Sequence, residues 1–231
     1  MQAQEVVIVG CGGRGHGYGS FALKYPLEMK VVAIAEPDEA RRERMRQEHK
    51  LPANRCFKSW DDLYAKGRLA PALINGTMDR DHLASALGAL DCGYDVLLEK
   101  PIASTPEDCV ALARKSEATG KVLMICHTMR YSPFAATLYE TIQSGCLGEI
   151  ITIEHKENVA FWHMAHSFVR GNWRNAGLSA PMILAKCCHD MDFLYWMIGR
   201  KAVRIASFGS LTHFRRERVG PEVPERCTDG C

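Results

Sequence analysis

Three side chains in this sequence have the types and settings that acid–base or electrostatic catalysis uses. Lys100 stands in Glu99-Lys100-Pro101, directly after the strand-like segment 94–98. The proline disfavours helical backbone at Lys100 and so holds it at the end of an extended segment. An ammonium there can polarise a carbonyl or, if burial lowers its pKa, exchange a proton with a hydroxyl. On spacing alone the alternative is an ordinary surface lysine. The second constellation is Lys186-Cys187-Cys188-His189-Asp190-Met191-Asp192. Lys186 and Asp192 are each three residues from His189, so on a helix each can share its face. A histidine oriented by an aspartate is a proton-transfer group; the alternative is a half-buried histidine in an ordinary helix hydrogen bond. His163 and His166 are also three apart, but no cysteine or carboxylate set in ligand spacing accompanies them, and no metal is expected.

These groups need a scaffold, and the N-terminus supplies its signature. The apolar run Val6-Val7-Ile8-Val9 leads into Gly10-Cys11-Gly12-Gly13-Arg14-Gly15. This pattern reads as a buried strand, a glycine turn and the start of a helix. The first glycine allows the tight turn, the second lets a pyrophosphate approach the backbone, and the third lets helix pack on strand. Free N–H groups and the positive end of the helix dipole then face the phosphates. A second apolar run, 31–34, ends at Glu36, a carboxylate 21 residues after Gly15. That spacing fits a group that binds adenosine ribose hydroxyls. A glycine-rich loop with no ligand is the competing reading.

Strand and helix patterns alternate through residue 126, as a parallel sheet built from βα units requires. The expected helices are 39–50, a short one at 59–63, 82–92 and 105–119; the expected strands include 72–75, 94–98 and 122–126. Beyond 126 the character changes. Residues 133–144 and 181–198 read as helices, and 161–174 as an aromatic, histidine-rich loop. Residues 148–159 and 203–213 read as strands of an antiparallel sheet with exposed edges.

Composition bounds the rest. The chain has 231 residues, 47% of them apolar, enough for one large or two modest cores. A net charge of +2 gives no electrostatic case for nucleic acid or membranes. The N-terminal apolar run is too short for a signal peptide, and no stretch approaches a membrane helix. Six of the ten cysteines are scattered without framework spacing, which suggests buried thiols in a reducing cytoplasm. Cys187 and Cys188 are adjacent and cannot easily bridge each other. Cys227 and Cys231 could form half of a metal or disulfide site.

Taken together, Gly10-x-Gly12-x-x-Gly15, Glu36, Glu99-Lys100-Pro101 and His189-x-x-Asp192 resemble the glucose–fructose oxidoreductase/inositol dehydrogenase (Gfo/Idh/MocA) family along essentially the whole chain. The resemblance implies an α/β fold: a doubly wound Rossmann domain at 1–127, then an α/β domain with a mostly antiparallel sheet at 128–231, incomplete here because the chain is shorter than a typical member. It implies NAD as cofactor, with NADP as the alternative, and a sugar, polyol or related carbonyl as substrate. Gly10, Gly12, Gly13, Arg14, Gly15, Glu36, Thr77, Glu99 and Lys100 are then the cofactor contacts. Lys100 and His189 are the catalytic pair, joined by Lys186, because Ala185 stands where the family often has an aspartate. Lys100, Arg130, His166, Trp173, Arg174 and His189 are expected to face substrate; a sugar ring stacks well on tryptophan. The implied activity is hydride transfer to or from a CH–OH carbon. The alternatives are glycoside cleavage through transient oxidation, and a dinucleotide-binding protein without catalysis. A homo-oligomer in the cytoplasm, with no nucleic-acid or membrane partner, completes the expectation.

Overall fold

In the computed structural model all residues are described except Met1, Glu225, Cys231 and the side chain of Cys227. The Cys227/Cys231 expectation therefore lies outside the described residues. Six strands form one parallel sheet: β1 (Gln4–Val9), β2 (Met29–Ala35), β3 (Cys56–Phe57), β4 (Ala72–Asn75), β5 (Asp95–Leu98) and β6 (Leu123–Ile125), in the order β3-β2-β1-β4-β5-β6. This is the doubly wound order, with its reversal between β1 and β4.

The strands are short and apolar because helices cover both faces. Alternate residues of β1 enter different cores: Val7 and Val9 pack with Leu73, Val96 and Leu98, whereas Val6 and Ile8 pack with Ile34 and Ile74. Each fully buried aliphatic side chain of this kind contributes about 1.5–3 kcal/mol. The helices are α1 (Gly13–Lys24), α2 (Glu39–Glu48), α3 (Trp60–Tyr64), α4 (His82–Asp91) and α5 (Pro106–Thr119). Local chemistry fixes their ends. Asp38 caps α2 by accepting from the Arg41 N–H, and Thr105 caps α5 ahead of Pro106 at its first turn. Gly120, in the left-handed region at φ 64°, terminates α5.

The second half is built around α6 (Pro133–Gln143) and α8 (Met182–Ile198), with α7 (Phe161–His163) continuing as a π-helix over Met164–Val169. Ala135, Phe193 and Met197 make a small core, and the Tyr139 and Trp196 rings stack 4.3 Å apart across it. Two expectations change here. Residues 161–169 are helical and not the loop their composition suggests. Residues 148–159 and 203–213 carry strand-like alternation yet form no strand, and among the described residues the six-stranded sheet is the only one. A strand exists only when its backbone groups find a partner, and neither segment has one. Among the described residues eight cysteines are free thiols; of these only Cys11 and Cys126 are buried, and Cys146 is exposed. No helix among the described residues is long and apolar enough to cross a membrane.

Candidate active site at the sheet switch point

In a doubly wound sheet the strand order reverses at one point, and ligands bind there, beyond the carboxyl ends of the strands. Here the ends of β1, β2, β4 and β5 place Lys100 and Thr77 at one cavity, and Gly10, Glu36 and Thr77 at a second that adjoins it. Gly10 has φ 81°, and a Cβ on it would lie 2.6 Å from the Gly76 carbonyl oxygen; a Cβ on Gly15 would lie 1.9 Å from the Gly10 carbonyl oxygen. The turn therefore packs backbone against backbone. Gly12 caps α1 without a side-chain hydrogen bond, and a Cβ on Gly13 would meet nothing within 4 Å. Unpaired N–H groups beside open space at a helix start suit a pyrophosphate. The residues present thus fit a dinucleotide.

Glu36 is buried, and both its carboxylate oxygens are in use. Oε2 accepts from the Cys11 N–H at 2.6 Å and Oε1 from the Asp38 N–H at 3.0 Å. The side chain thus braces the glycine turn as well as facing a second cavity, of about 400 Å³, shared with Arg41, Trp60 and Thr77. Arg42 is tied down by donating to the Glu36 and Pro37 carbonyls. Burial, with Glu36 adding to it, pushes the Cys11 thiol up to about 12, so it is a neutral packing group.

The adjoining cavity, of about 290 Å³, is lined by Gly12, Arg14, Thr77, Glu99, Lys100 and Lys186, among others. Buried Glu99 accepts from the Tyr18 hydroxyl at 2.8 Å and from the Lys100 N–H at 3.1 Å, and pairs with Arg14 Nε at 3.8 Å. Lys100 reaches the opposite wall, where its Nζ donates to the Ala185 carbonyl of α8 at 2.8 Å. A hydrogen-bonded carboxylate behind the backbone and a carbonyl ahead of the ammonium fix this lysine at both ends.

Residues on α8 and the segment before it meet partners other than those helical spacing suggests. Lys186 donates to His163 Nε2 at 3.1 Å, not to His189. Asp192 does not orient His189 either: Arg130 takes it with Nε at 2.7 Å and Nη2 at 2.5 Å. A bidentate guanidinium outcompetes an imidazole for a carboxylate. Arg130, expected at substrate, is thus committed to Asp192 and lies over the Trp196 ring at 5.5 Å. His166 and Arg174 lie outside the cleft lining. His166 is exposed on another face, beside Trp162 and His213, because the helical run 161–169 turns His163 toward the cleft and His166 away. Arg174 is exposed and donates to the Gly171 carbonyl. Trp173 does line the cleft, and its Nε1 donates to Asp79 Oδ2 at 2.7 Å.

That last contact, and His82, were absent from the sequence reading. Buried Asp79 follows the end of β4 by four residues and pins the aromatic segment onto the sheet end. His82 is fully buried, with Nδ1 2.7 Å from the Pro101 carbonyl oxygen and Nε2 3.3 Å from that of Thr77, linking the loops after β4 and β5. The only local signal was polar residues crowded just beyond a strand end. Among the described residues no group of His, Cys, Asp and Glu is arranged to hold a metal.

His189 does not line the cleft directly, and its Nδ1 is buried without a hydrogen-bond partner. Burial, then the charges of Lys100, His127 and Arg14, pull its pKa from 6.5 down to about 4, against Asp190. At neutral pH it is an uncharged imidazole, a proton acceptor. Its unfolded form binds protons more readily, so the stability it contributes is complete above about pH 6.5 and is lost as pH falls toward 4. His49, His127 and His163 are shifted in the same direction, mainly by burial. Thermal unfolding midpoints should fall across this window, and His189→Gln should flatten the slope without abolishing it. An unchanged slope in that variant contradicts the buried, neutral state.

Comparison with known proteins agrees with this geometry. Residues 4–127 match the Gfo/Idh/MocA model described as an oxidoreductase family with an NAD-binding Rossmann fold, and residues 139–228 match that family's C-terminal alpha/beta domain. The chain is similar to inositol 2-dehydrogenase 4 of Saccharopolyspora erythraea, with 26% identity over 234 residues covering 97% of this chain and 61% of that protein. Among solved structures it resembles the scyllo-inositol dehydrogenase of Lactobacillus casei (20% identity, TM-score 0.71, 86% of this chain and 55% of that one). It also resembles the WlbA dehydrogenase of Bordetella pertussis, solved with NADH and UDP-GlcNAcA (19% identity, TM-score 0.70, 86% and 58%). At these identities the structural likenesses show the fold. The chain spans roughly half the length of the curated relatives it matches. With both family models matched in chain order, and with the glycine turn and Glu99-Lys100-Pro101 at the switch point, the chain belongs to the Gfo/Idh/MocA oxidoreductase family.

Proposed function

We propose that this chain acts in NAD-dependent oxidation or reduction of a sugar, polyol or related carbonyl compound, with residues 1–127 holding the cofactor and 128–231 the substrate side. The observation that carries this reading is Lys100, set at the end of β5 in the same cleft as the glycine turn, with its ammonium directed across to α8. NAD supplies the hydride acceptor when bound. The Gly12 and Gly13 N–H groups would hold its phosphates, and Glu36 with Arg41 lines the cavity that suits its adenosine end. Lys100 stabilises negative charge as it develops on the substrate oxygen, and neutral His189, which feels the Lys100 charge from behind the cleft lining, is the proposed acceptor of the hydroxyl proton, reached through a proton relay and not by direct contact. Incubation of the purified chain with NAD and a panel of sugars and polyols should give NADH with at least one of them. NAD binding without turnover of any would favour a non-catalytic role.

Cofactor preference follows from Glu36. A carboxylate facing the adenosine cavity repels a 2′-phosphate and accepts from ribose hydroxyls, so NAD should bind at least about tenfold more tightly than NADP. Arg41, which also lines that cavity, works against the preference. Titration showing tighter NADP binding would remove this role from Glu36.

The proposed assembly is a homo-oligomer. Ile151, Val203, Ile205 and Phe208 are all more than four-fifths exposed, and such apolar surface favours association. Light scattering on an active preparation should report a dimer or larger species; a monodisperse, active monomer contradicts it.

A further inference from the structure

The cleft carries more positive charge than a neutral sugar requires, and part of it, Lys186, lies on the wall made by α8. Arg14, Arg41, Lys100 and Lys186 all line this cavity, together with His163. Its two acids are already committed: Asp79 to Trp173 Nε1, and Glu99 to Tyr18, Arg14 and the Lys100 backbone. Neither the Lys100 nor the Lys186 ammonium has a carboxylate ion-pair partner among the described residues; their hydrogen bonds go to the Ala185 carbonyl and to His163 Nε2.

Lys186 is nonetheless held in place. His163 accepts one of its N–H bonds, which requires that nitrogen to be unprotonated, and the Phe168 ring lies 5.8 Å away. Two ammonium donors remain free to point elsewhere. Burial, then the charges of Lys100 and Arg14, push the Lys186 pKa down, with Glu157 acting in the opposite sense. Neighbouring unpaired cations repel one another, and an anion between them relieves that repulsion. The proposed cofactor phosphates would have donors at Gly12 and Gly13, on a different element of the cleft.

We infer that the substrate carries an anionic group, a carboxylate or a phosphate ester, that ion-pairs with Lys186, with the nearby Lys100 charge adding to the attraction. The inference rests on the proposed binding of NAD and a sugar-like compound in this cleft, and it specifies the class of that compound. His163 and Phe168 position the Lys186 ammonium, and Lys100 lies near enough to share the charge.

The test is calorimetric titration of glucuronate, glucose 6-phosphate and glucose into the chain, alone and saturated with NADH. At least one acid should bind about tenfold or more tightly than glucose. That advantage should weaken with added salt, shrink to within about twofold in Lys186→Met, and survive in Lys186→Arg. NADH affinity should be the same in all three proteins. Whichever acid wins identifies the group as carboxylate or phosphate. Equal affinity for glucose and both acids, no binding of either acid, or loss of NADH affinity in Lys186→Met would each overturn the inference. Failure of wild-type chain to bind NADH refutes the cofactor reading instead, and the acid titrations on the chain alone still decide the role of Lys186.

Discussion

Lys100→Ala should lower kcat/KM by about 10²-fold or more, while NAD affinity changes little. A hundredfold loss corresponds to about 2.7 kcal/mol of transition-state stabilisation, the scale typical of one positioned acid or electrostatic donor. The geometry explains why the loss should fall on the chemical step. Among the described residues Lys100 makes no ion pair; its ammonium donates to the Ala185 carbonyl, which is left at a cleft wall when the side chain is removed. The backbone contact from Lys100 N–H to Glu99 persists in the alanine variant, so the sheet end should keep its shape. Lys100→Arg should rescue only partly, because a planar fork does not occupy the place of a compact ammonium. Steady-state rates with any sugar or polyol that supports turnover provide the check. Turnover near that of wild type would make Lys100 a surface lysine that happens to end a strand.

Gly15→Ala should have the other large effect, through NAD binding and stability together. Two terms oppose each other. Alanine is the better helix former by about 1 kcal/mol, which by itself would stabilise α1. Against this, the new Cβ would stand 1.9 Å from the Gly10 carbonyl oxygen and 3.2 Å from Ile8 Cγ2. The first of these is backbone and cannot rotate aside, so the turn must open. Overpacking of this kind costs about 3 kcal/mol or more, which outweighs the propensity gain. The opened turn also displaces the Gly12 and Gly13 N–H groups from the phosphate position. A lower unfolding midpoint with at least about a tenfold loss in NAD affinity is expected. Gly17→Ala, in the same helix with nothing within 4 Å of the new Cβ, is the control and should retain both.

The N-terminal half was largely legible because its signals are local. A continuous apolar run belongs to a strand covered on both faces, and β1 is buried from Val6 to Val9. The glycine turn, the Asp38 and Thr105 caps and the Gly120 stop all act within a few residues of where they are written. The site was less legible because its decisive contacts are distant in sequence. Arg130 claims Asp192 from 62 residues away, Trp173 reaches Asp79 across 94, and Lys100 meets the Ala185 carbonyl across 85. Helical spacing placed Lys186, His189 and Asp192 on one helix correctly, but it could not say which neighbours each would meet. The same holds for residues 148–159 and 203–213. Alternation is written locally, whereas strand formation depends on a partner elsewhere.

The most direct test of a cofactor site at the β1/β4 switch point is a calorimetric titration of NADH into the chain, its Gly15→Ala variant and the Gly17→Ala control. The account predicts saturable binding of one NADH per chain for wild type and control, and binding weakened at least about tenfold in Gly15→Ala. No binding to wild type, or equal binding to Gly15→Ala, would contradict it.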